Sequence, residues 1–411
     1  MAPFDRIAKI MDFALSKKSL WSYGLTRLLD VPFWALHALI PVILYKDLGA
    51  TPFQIACLVT LKPLLSLVSM YWGSQVGGRP DKLIKNIRLA RALAYLPFFL
   101  FPFVTTPWFF IVAYAGYMML QLGTVPAWME ILNRNVAKPK RERIFSFIQA
   151  FCYMGGGFLP FIIGGLMDNY HEAWRWLFPI AALIGISSDW IYKSIPVPSI
   201  GNSQSKGIAH TIKKPWEESF KILKERTDFT KYQFGFMFVG AGLMMIQPAL
   251  PIFYTDILKL SYTELSVAIT LCKGLGFALA SPWFGARLNK SDIFFFSGVI
   301  AVFAGLFPLL LLSSEIHLVW LYIAYFFYGI AQAGQELTWN MSGPLFAGSE
   351  DSTPYTNINL MAIGLRGAII PFIGSALLAF SSASLPLIMG ASICLIGGLR
   401  LYTYRKTPIT T

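Results

Sequence analysis

Five ionisable residues interrupt the long apolar runs of this 411-residue chain: Asp30, Lys62, Lys273, Glu336 and Arg366. A charge at the centre of a bilayer costs about 2.5–3.5 kcal/mol on insertion scales, so such residues face a bundle interior, a partner or water. Their types set the chemistry. An arginine or lysine beside a water-filled recess can hold a carboxylate or a phosphate. A carboxyl group in an apolar setting is pushed toward its neutral form and can load and release a proton near neutral pH. Three cations against two acids leave a positive excess, which points to an anionic or zwitterionic solute held by Arg366 and a lysine. Asp30 and Glu336 are the candidates for proton coupling. Two pairings compete with this reading, Asp30 with Lys62 and Lys273 with Glu336, each as a buried structural pair.

The elements that must carry these residues are membrane helices. Hydrophobic residues make up 55% of the chain and charged residues 13%, about half the charge of a soluble domain. The apolar runs are roughly 20 residues long, the length that crosses a bilayer core. They are continuous rather than alternating, so they read as helices and not as a barrel. Twelve helices are predicted, at about 20–45, 52–74, 86–106, 107–132, 144–167, 174–195, 230–256, 263–286, 292–313, 317–341, 356–380 and 384–405. The longest polar stretch, 196–229, separates an N-terminal six-helix half (1–195) from a C-terminal one (230–411). Its Lys/Glu-rich piece predicts a short amphipathic helix at the membrane surface.

The net charge of +13 has a matching explanation. Its residues gather in alternate connections: Arg79, Lys82, Lys85, Arg88 and Arg91; Arg134, Lys138, Lys140, Arg141 and Arg143; Arg287 and Lys290; Arg400, Arg405 and Lys406. That is the positive-inside pattern, and it places both termini in the cytoplasm of a multi-pass protein of the cell (inner) membrane. Nucleic acid is not an expected partner. No cleavable signal peptide is read at the basic N-terminus. Cys57, Cys152, Cys272 and Cys394 all fall inside predicted spans without metal spacing, and they read as small apolar residues.

The chain also repeats itself. Gly77-Gly78-Arg79-Pro80-Asp81-Lys82 returns in weaker form as Gly285-Ala286-Arg287-Leu288-Asn289-Lys290. Thr51-Pro52-Phe53-Gln54 and Ser261-Tyr262-Thr263-Glu264 both read as capping boxes, with a hydroxyl at the N-cap and Gln or Glu three residues on. His37 to Pro41 aligns with Gln247 to Pro251 in the same register.

With these motifs the chain resembles the major facilitator superfamily of transporters. Gly77, Asp81, Lys82 and Lys85 match that family's signature after the second helix, with Ile84 in place of its second glycine. Gly156-Gly157-Phe158-Leu159-Pro160 resembles its glycine-rich fifth helix without the Gly-Pro step. Trp174-Arg175-Trp176-Leu177-Phe178 resembles its entry to the sixth helix. The resemblance implies an all-α membrane protein of twelve transmembrane helices in two pseudo-symmetric six-helix halves. It implies a cavity lined by helices 1, 4, 7 and 10, with 2, 5, 8 and 11 beside them. The polar residues fall there. Asp30, Trp34, His37 and Pro41 share one face of the first helix. Gln121 and Trp128 lie on the fourth, and Gln247 on the seventh. Gln332, Gln335, Glu336 and Asn340 form a stripe on the tenth. The expected substrate-binding set is Trp34, His37, Lys62, Gln121, Gln247, Lys273, Gln332, Gln335 and Arg366. His37 reads also as a hydrogen-bonded packing residue. Gly77, Asp81, Lys82, Gly285, Asn289 and Lys290 are the expected cytoplasmic gate.

The expectation is therefore a monomeric, proton-coupled secondary transporter, a symporter or antiporter, moving a small organic anion or zwitterion by alternating access. Efflux of lipophilic compounds is the alternative, and a non-transporting sensor the third reading. No Walker-type glycine loop, metal spacing or nucleophile triad is read in the chain, so neither an enzyme nor a cofactor is expected.

Overall fold

The computed structural model describes residues 3–77, 83–135, 159–192, 208–288, 292–348 and 353–406, and among them there is no strand. Among the described residues the chain begins with α1 (Pro3–Lys46), α2 (Pro52–Gly77), α3 (Leu83–Tyr95), α4 (Pro107–Asn135) and α5 (Leu159–Asn169). Then come α6 (Trp174–Ser187), the linker helix α7 (Ile208–Glu225) and α8 (Thr227–Met245). The chain closes with α9 (Lys273–Leu288), α10 (Ile293–Leu312), α11 (Val319–Ala347), α12 (Thr353–Phe380) and α13 (Ser384–Thr403). Among the described residues six helical stretches are long and apolar enough to cross a bilayer, the first being Leu20–Lys46 and the last Ser384–Thr403.

Four departures from the predicted helices have local causes. The basic N-terminal segment continues the first span as one helix, Pro3–Lys46, instead of preceding it. The third predicted helix is α-helical only to Tyr95 and tightens into a 3-10 helix over Leu96–Phe103, where Pro97 and Pro102 remove backbone donors. The seventh breaks after Met245 at Gln247-Pro248, then resumes as Ala249–Ile252 and a π-helical turn, Phe253–Ile257. The eighth opens with Tyr262–Ser266 and a second π-helical stretch, Val267–Cys272, before α9. Both capping boxes form. The Gln54 amide N–H donates to Thr51 Oγ1 (3.3 Å) and the Thr51 N–H to Gln54 Oε1 (2.9 Å). Glu264 N–H donates to Ser261 Oγ (3.1 Å) and Ser261 N–H to Glu264 Oε2 (2.8 Å). Most of the fifth predicted helix, including Gly156 and Gly157, lies outside the described residues.

Packing divides the chain into two units: Met1–Ala38 with Val68–Lys206, and Leu39–Leu67 with Gly207–Thr411. The first has an aromatic heart. Phe33 is fully buried and meets Tyr95, Phe98 and Tyr117 at ring-centroid distances of 4.7–4.8 Å. The second unit holds α7 to α13 together with the last turns of α1 and the first half of α2. Its α9 and α11 cross so closely that a Cβ added at Gly276 would lie 2.1 Å from the Phe326 carbonyl oxygen, and one at Gly329 would lie 2.0 Å from that of Lys273.

Candidate substrate site

Three intramembrane charges belong to the second unit. Lys62 stands halfway along α2, Lys273 begins α9 and Glu336 sits on α11. Lys62 and Glu336 are exposed and Lys273 is half-buried. The sequence offered a Lys273–Glu336 pair. In the structure the attraction of Glu336 acts on Lys62, while Lys273 feels the like charge of Lys62. Among the described residues none of the three closes an ion pair.

Local structure explains where Lys273 stands. The π-helical stretch Val267–Cys272 ends at the residue before it, and π-bulges of this kind re-aim side chains at functional positions. The Gly276/Gly329 crossing then fixes its backbone against α11, and its Nζ lies 5.8 Å from the centroid of the Tyr328 ring. The stripe on α11 forms as expected from its spacing. Gln332 and Gln335 are half-buried, and Glu336 and Asn340 are exposed. Asn340 Nδ2 donates to the Glu336 carbonyl oxygen (2.8 Å). Gln335 Nε2 is buried without a hydrogen-bond partner among the described residues. Gln247 donates from Nε2 to the Leu243 carbonyl (3.3 Å), at the break after α8.

Arg366 is the foremost anion ligand in the sequence reading. It is buried in the interface of α8 and α12, where Nη1 donates to the Phe236 carbonyl (3.1 Å) and the guanidinium carbon lies 5.6 Å from the Phe236 ring centroid. It occupies a notch made by Gly240, whose added Cβ would fall 1.9 Å from Nη1. No carboxylate pairs with it among the described residues.

The first unit carries a closed charge network. Arg91 grips Asp30 with two hydrogen bonds, Nη1 to Oδ2 (2.9 Å) and Nη2 to Oδ1 (2.7 Å). Nη2 also donates to Ser188 Oγ (2.9 Å) and the Gly185 carbonyl (3.2 Å), and Tyr95 donates its hydroxyl to Asp30 (2.8 Å). This replaces the Asp30–Lys62 pairing. It also corrects the placement of Arg91 in a basic connection: the residue lies inside α3 and is 3% exposed. The available signal was the need of Asp30 for a cation, with Arg91 and Tyr95 four apart on one helix face. Two turns further along α1, His37 stacks on Tyr114 at 4.7 Å, and Trp34, 37% exposed, stands 5.0 Å from the His37 ring. Gln121 is half-buried on α4 with its Nε2 unpartnered among the described residues.

Of the expected gate, Gly77 closes α2 and Gly285 is exposed in α9. Asp81, Lys82, Asn289 and Lys290 lie outside the described residues, as does the Trp128 side chain. The opposite end of α2 shows a polar cluster that sequence reasoning missed. Tyr45 donates to Asp256 (2.5 Å), Tyr262 donates to Asp47 (2.7 Å), and Lys46 lies 4.4 Å from the Tyr262 ring centroid. No single motif announces it, because each partner is ordinary until the helix tips meet.

Long apolar helices with ionisable residues inside them define a polytopic membrane protein. The Major Facilitator Superfamily model matches residues 28–353, and the chain belongs to that superfamily. Solved structures share its fold. A POT family transporter in complex with 5-aminolevulinic acid is 13% identical, covering 95% of this chain and 96% of that one, with a TM-score of 0.76. The nucleoside transporter NupG is 14% identical over 94% of this chain and 99% of its own, at a TM-score of 0.67. A bacterial homolog of the human lysosomal transporter Spinster, inward-facing and unoccupied, is 14% identical over 95% of each chain, at 0.63. No curated protein sequence matches this chain.

Proposed function

We propose that the protein is a proton-coupled secondary transporter of a small organic anion or zwitterion, working by alternating access. The observation that carries this reading is that Lys62 and Lys273 repel as like charges, that Glu336 attracts Lys62, and that none of the three closes an ion pair among the described residues. A carboxylate or phosphate placed between them relieves their repulsion and supplies the missing partner. Glu336, within the same field, is the proton carrier, and Gln332, Gln335 and Asn340 orient the solute. Asp30, gripped by Arg91, serves as a staple of the first unit. In that unit Trp34, His37 and Gln121 are the candidates for solute contact. The protein works as a monomer in the cell membrane with both termini cytoplasmic. Structures of POT family transporters with 5-aminolevulinic acid and with a peptide conjugate bring zwitterions to the same fold, which favours this solute class.

A thermal-shift screen of the purified protein against dipeptides, 5-aminolevulinic acid, dicarboxylates, nucleosides and lipophilic cations tests it, at mildly acidic and at neutral pH. Ligand binding to the folded state raises Tm by mass action. An anionic or zwitterionic hit that disappears in Lys62→Gln and Lys273→Gln is the expected result. A hit confined to lipophilic cations, or indifferent to both lysines, overturns it.

A further inference from the structure

A cavity of about 290 Å³ opens between the linker helix α7 and the spans α8 and α12. Its walls are Trp216, Phe220 and Leu223 of α7, Phe234 and Met237 of α8, and Met361 and Leu365 of α12. The volume is at the lower edge of small-molecule sites, which run roughly 300–1,000 Å³. The few polar groups on its lining are mostly engaged, although Gln233 Oε1 is buried without a hydrogen-bond partner among the described residues. Thr230 donates its hydroxyl to the Leu223 carbonyl (2.6 Å), and Gln233 donates to Asn359. A polar ligand would find little to bind. The walls are also pre-formed. Arg226, the single residue between α7 and α8, donates to Asp228 (3.0 and 3.1 Å), to the Tyr355 hydroxyl (3.0 Å) and to the Phe346 carbonyl (2.9 Å). That corner pins the amphipathic helix to α11 and α12.

The position identifies the occupant. An amphipathic helix leading directly into a span lies at the headgroup boundary, with its apolar face toward the acyl chains. Phe220 is 68% exposed and Leu365 59%, so the cavity is open on its lipid side. On α7 the positions flanking its apolar stripe carry Lys213, Lys224 and one acid, Glu217, with Lys221 on the next. On α8, Lys231 flanks the lining residue Thr230. This edge is net positive. We propose that the groove holds one acyl chain of an anionic phospholipid, with its headgroup at the Lys213/Lys224 edge. The lipid thereby ties the linker helix to the second unit. Nothing in this depends on which solute is transported.

Photo-labelling tests the assignment. The full protein is placed in phosphatidylcholine vesicles carrying phosphatidylglycerol with a diazirine in its acyl chain, and labelled residues are mapped by peptide mass spectrometry. Phe380, 91% exposed at the end of α12, reports bulk lipid contact. Labelling at Trp216, Met237 and Met361 is expected to exceed that at Phe380 several-fold. Ala362→Phe, which fills the groove, should abolish the excess with Tm retained. Lys213→Gln/Lys224→Gln, at helix positions outside the groove lining, should reduce labelling by phosphatidylglycerol to the level of a diazirine phosphatidylcholine. Groove labelling no stronger than at Phe380, or equal labelling by the two headgroups in the unmodified protein, overturns the proposal.

Discussion

Arg91 and Arg366 are both buried arginines, one in each packing unit, and their surroundings differ in kind. Arg91 meets a carboxylate through two hydrogen bonds and donates further from Nη2 to Ser188 and the Gly185 carbonyl. Arg366 has a carbonyl, a phenyl face and a glycine notch. The same division holds for the other charges. Asp30 in the first unit is held by Arg91 and Tyr95, whereas in the second Lys62 feels both Glu336 and Lys273 and none of the three pairs among the described residues. Intramembrane charge is costly in either form. A closed network balances that cost internally and acts as scaffold. An open one leaves room for a mobile partner, whether solute or proton.

The comparison can be broken first at the closed network. Arg91→Met leaves Asp30 buried without its cation and should cost about 3–5 kcal/mol of stability, read as a large fall in Tm. Adding Asp30→Leu should restore most of it. If the single substitution is harmless, the network is not the scaffold. The open cluster should respond in the reverse manner. Lys62→Gln or Lys273→Gln should leave Tm unchanged while solute affinity, measured by calorimetry, falls about tenfold to a hundredfold, as expected for a charged hydrogen bond worth roughly 1.5–3 kcal/mol.

Arg366 sharpens the contrast. Gly240→Ala should destabilise by about 1–3 kcal/mol, because its Cβ meets the guanidinium. Arg366→Met should be neutral or stabilising, since no carboxylate is orphaned by it. The two substitutions together should therefore be non-additive in a thermal-unfolding cycle. At the helix tips, Tyr45→Phe and Tyr262→Phe each remove one hydrogen bond to an aspartate and should cost roughly 1 kcal/mol or less in the same assay.

The smallest effect concerns Glu172, outside the spans. Its hydrogen bond from Arg175 holds the carboxyl below its usual pKa. That stabilisation is present above the ordinary carboxylate pKa and is lost as pH falls through the lowered one. The Tm difference between the protein and Glu172→Gln should accordingly be small at neutral pH and vanish on acidification.

What the sequence made legible follows periodicity and composition. The spans, the capping boxes at Thr51 and Ser261 and the polar stripe on α11 all arise from local spacing, which helical geometry maps directly onto faces. The partners of buried charges were not legible. Arg91 read as a loop cation because its neighbours Lys85 and Arg88 are basic, and only the packing of α3 against α1 turns it inward. Arg366 read as a ligand because its helix carries no acid, and the notch at Gly240 that shelters it lies far away in the chain. The π-helical turn before Lys273 adds a residue that no hydrophobic period announces.

Proton-driven uptake into proteoliposomes tests the central claim most directly, with the radiolabelled solute chosen by the thermal screen and an inward proton gradient. The account predicts accumulation by the unmodified protein, exchange without gradient-driven accumulation in Glu336→Gln, and loss of both in Lys62→Gln/Lys273→Gln. Unimpaired accumulation in either variant would contradict it.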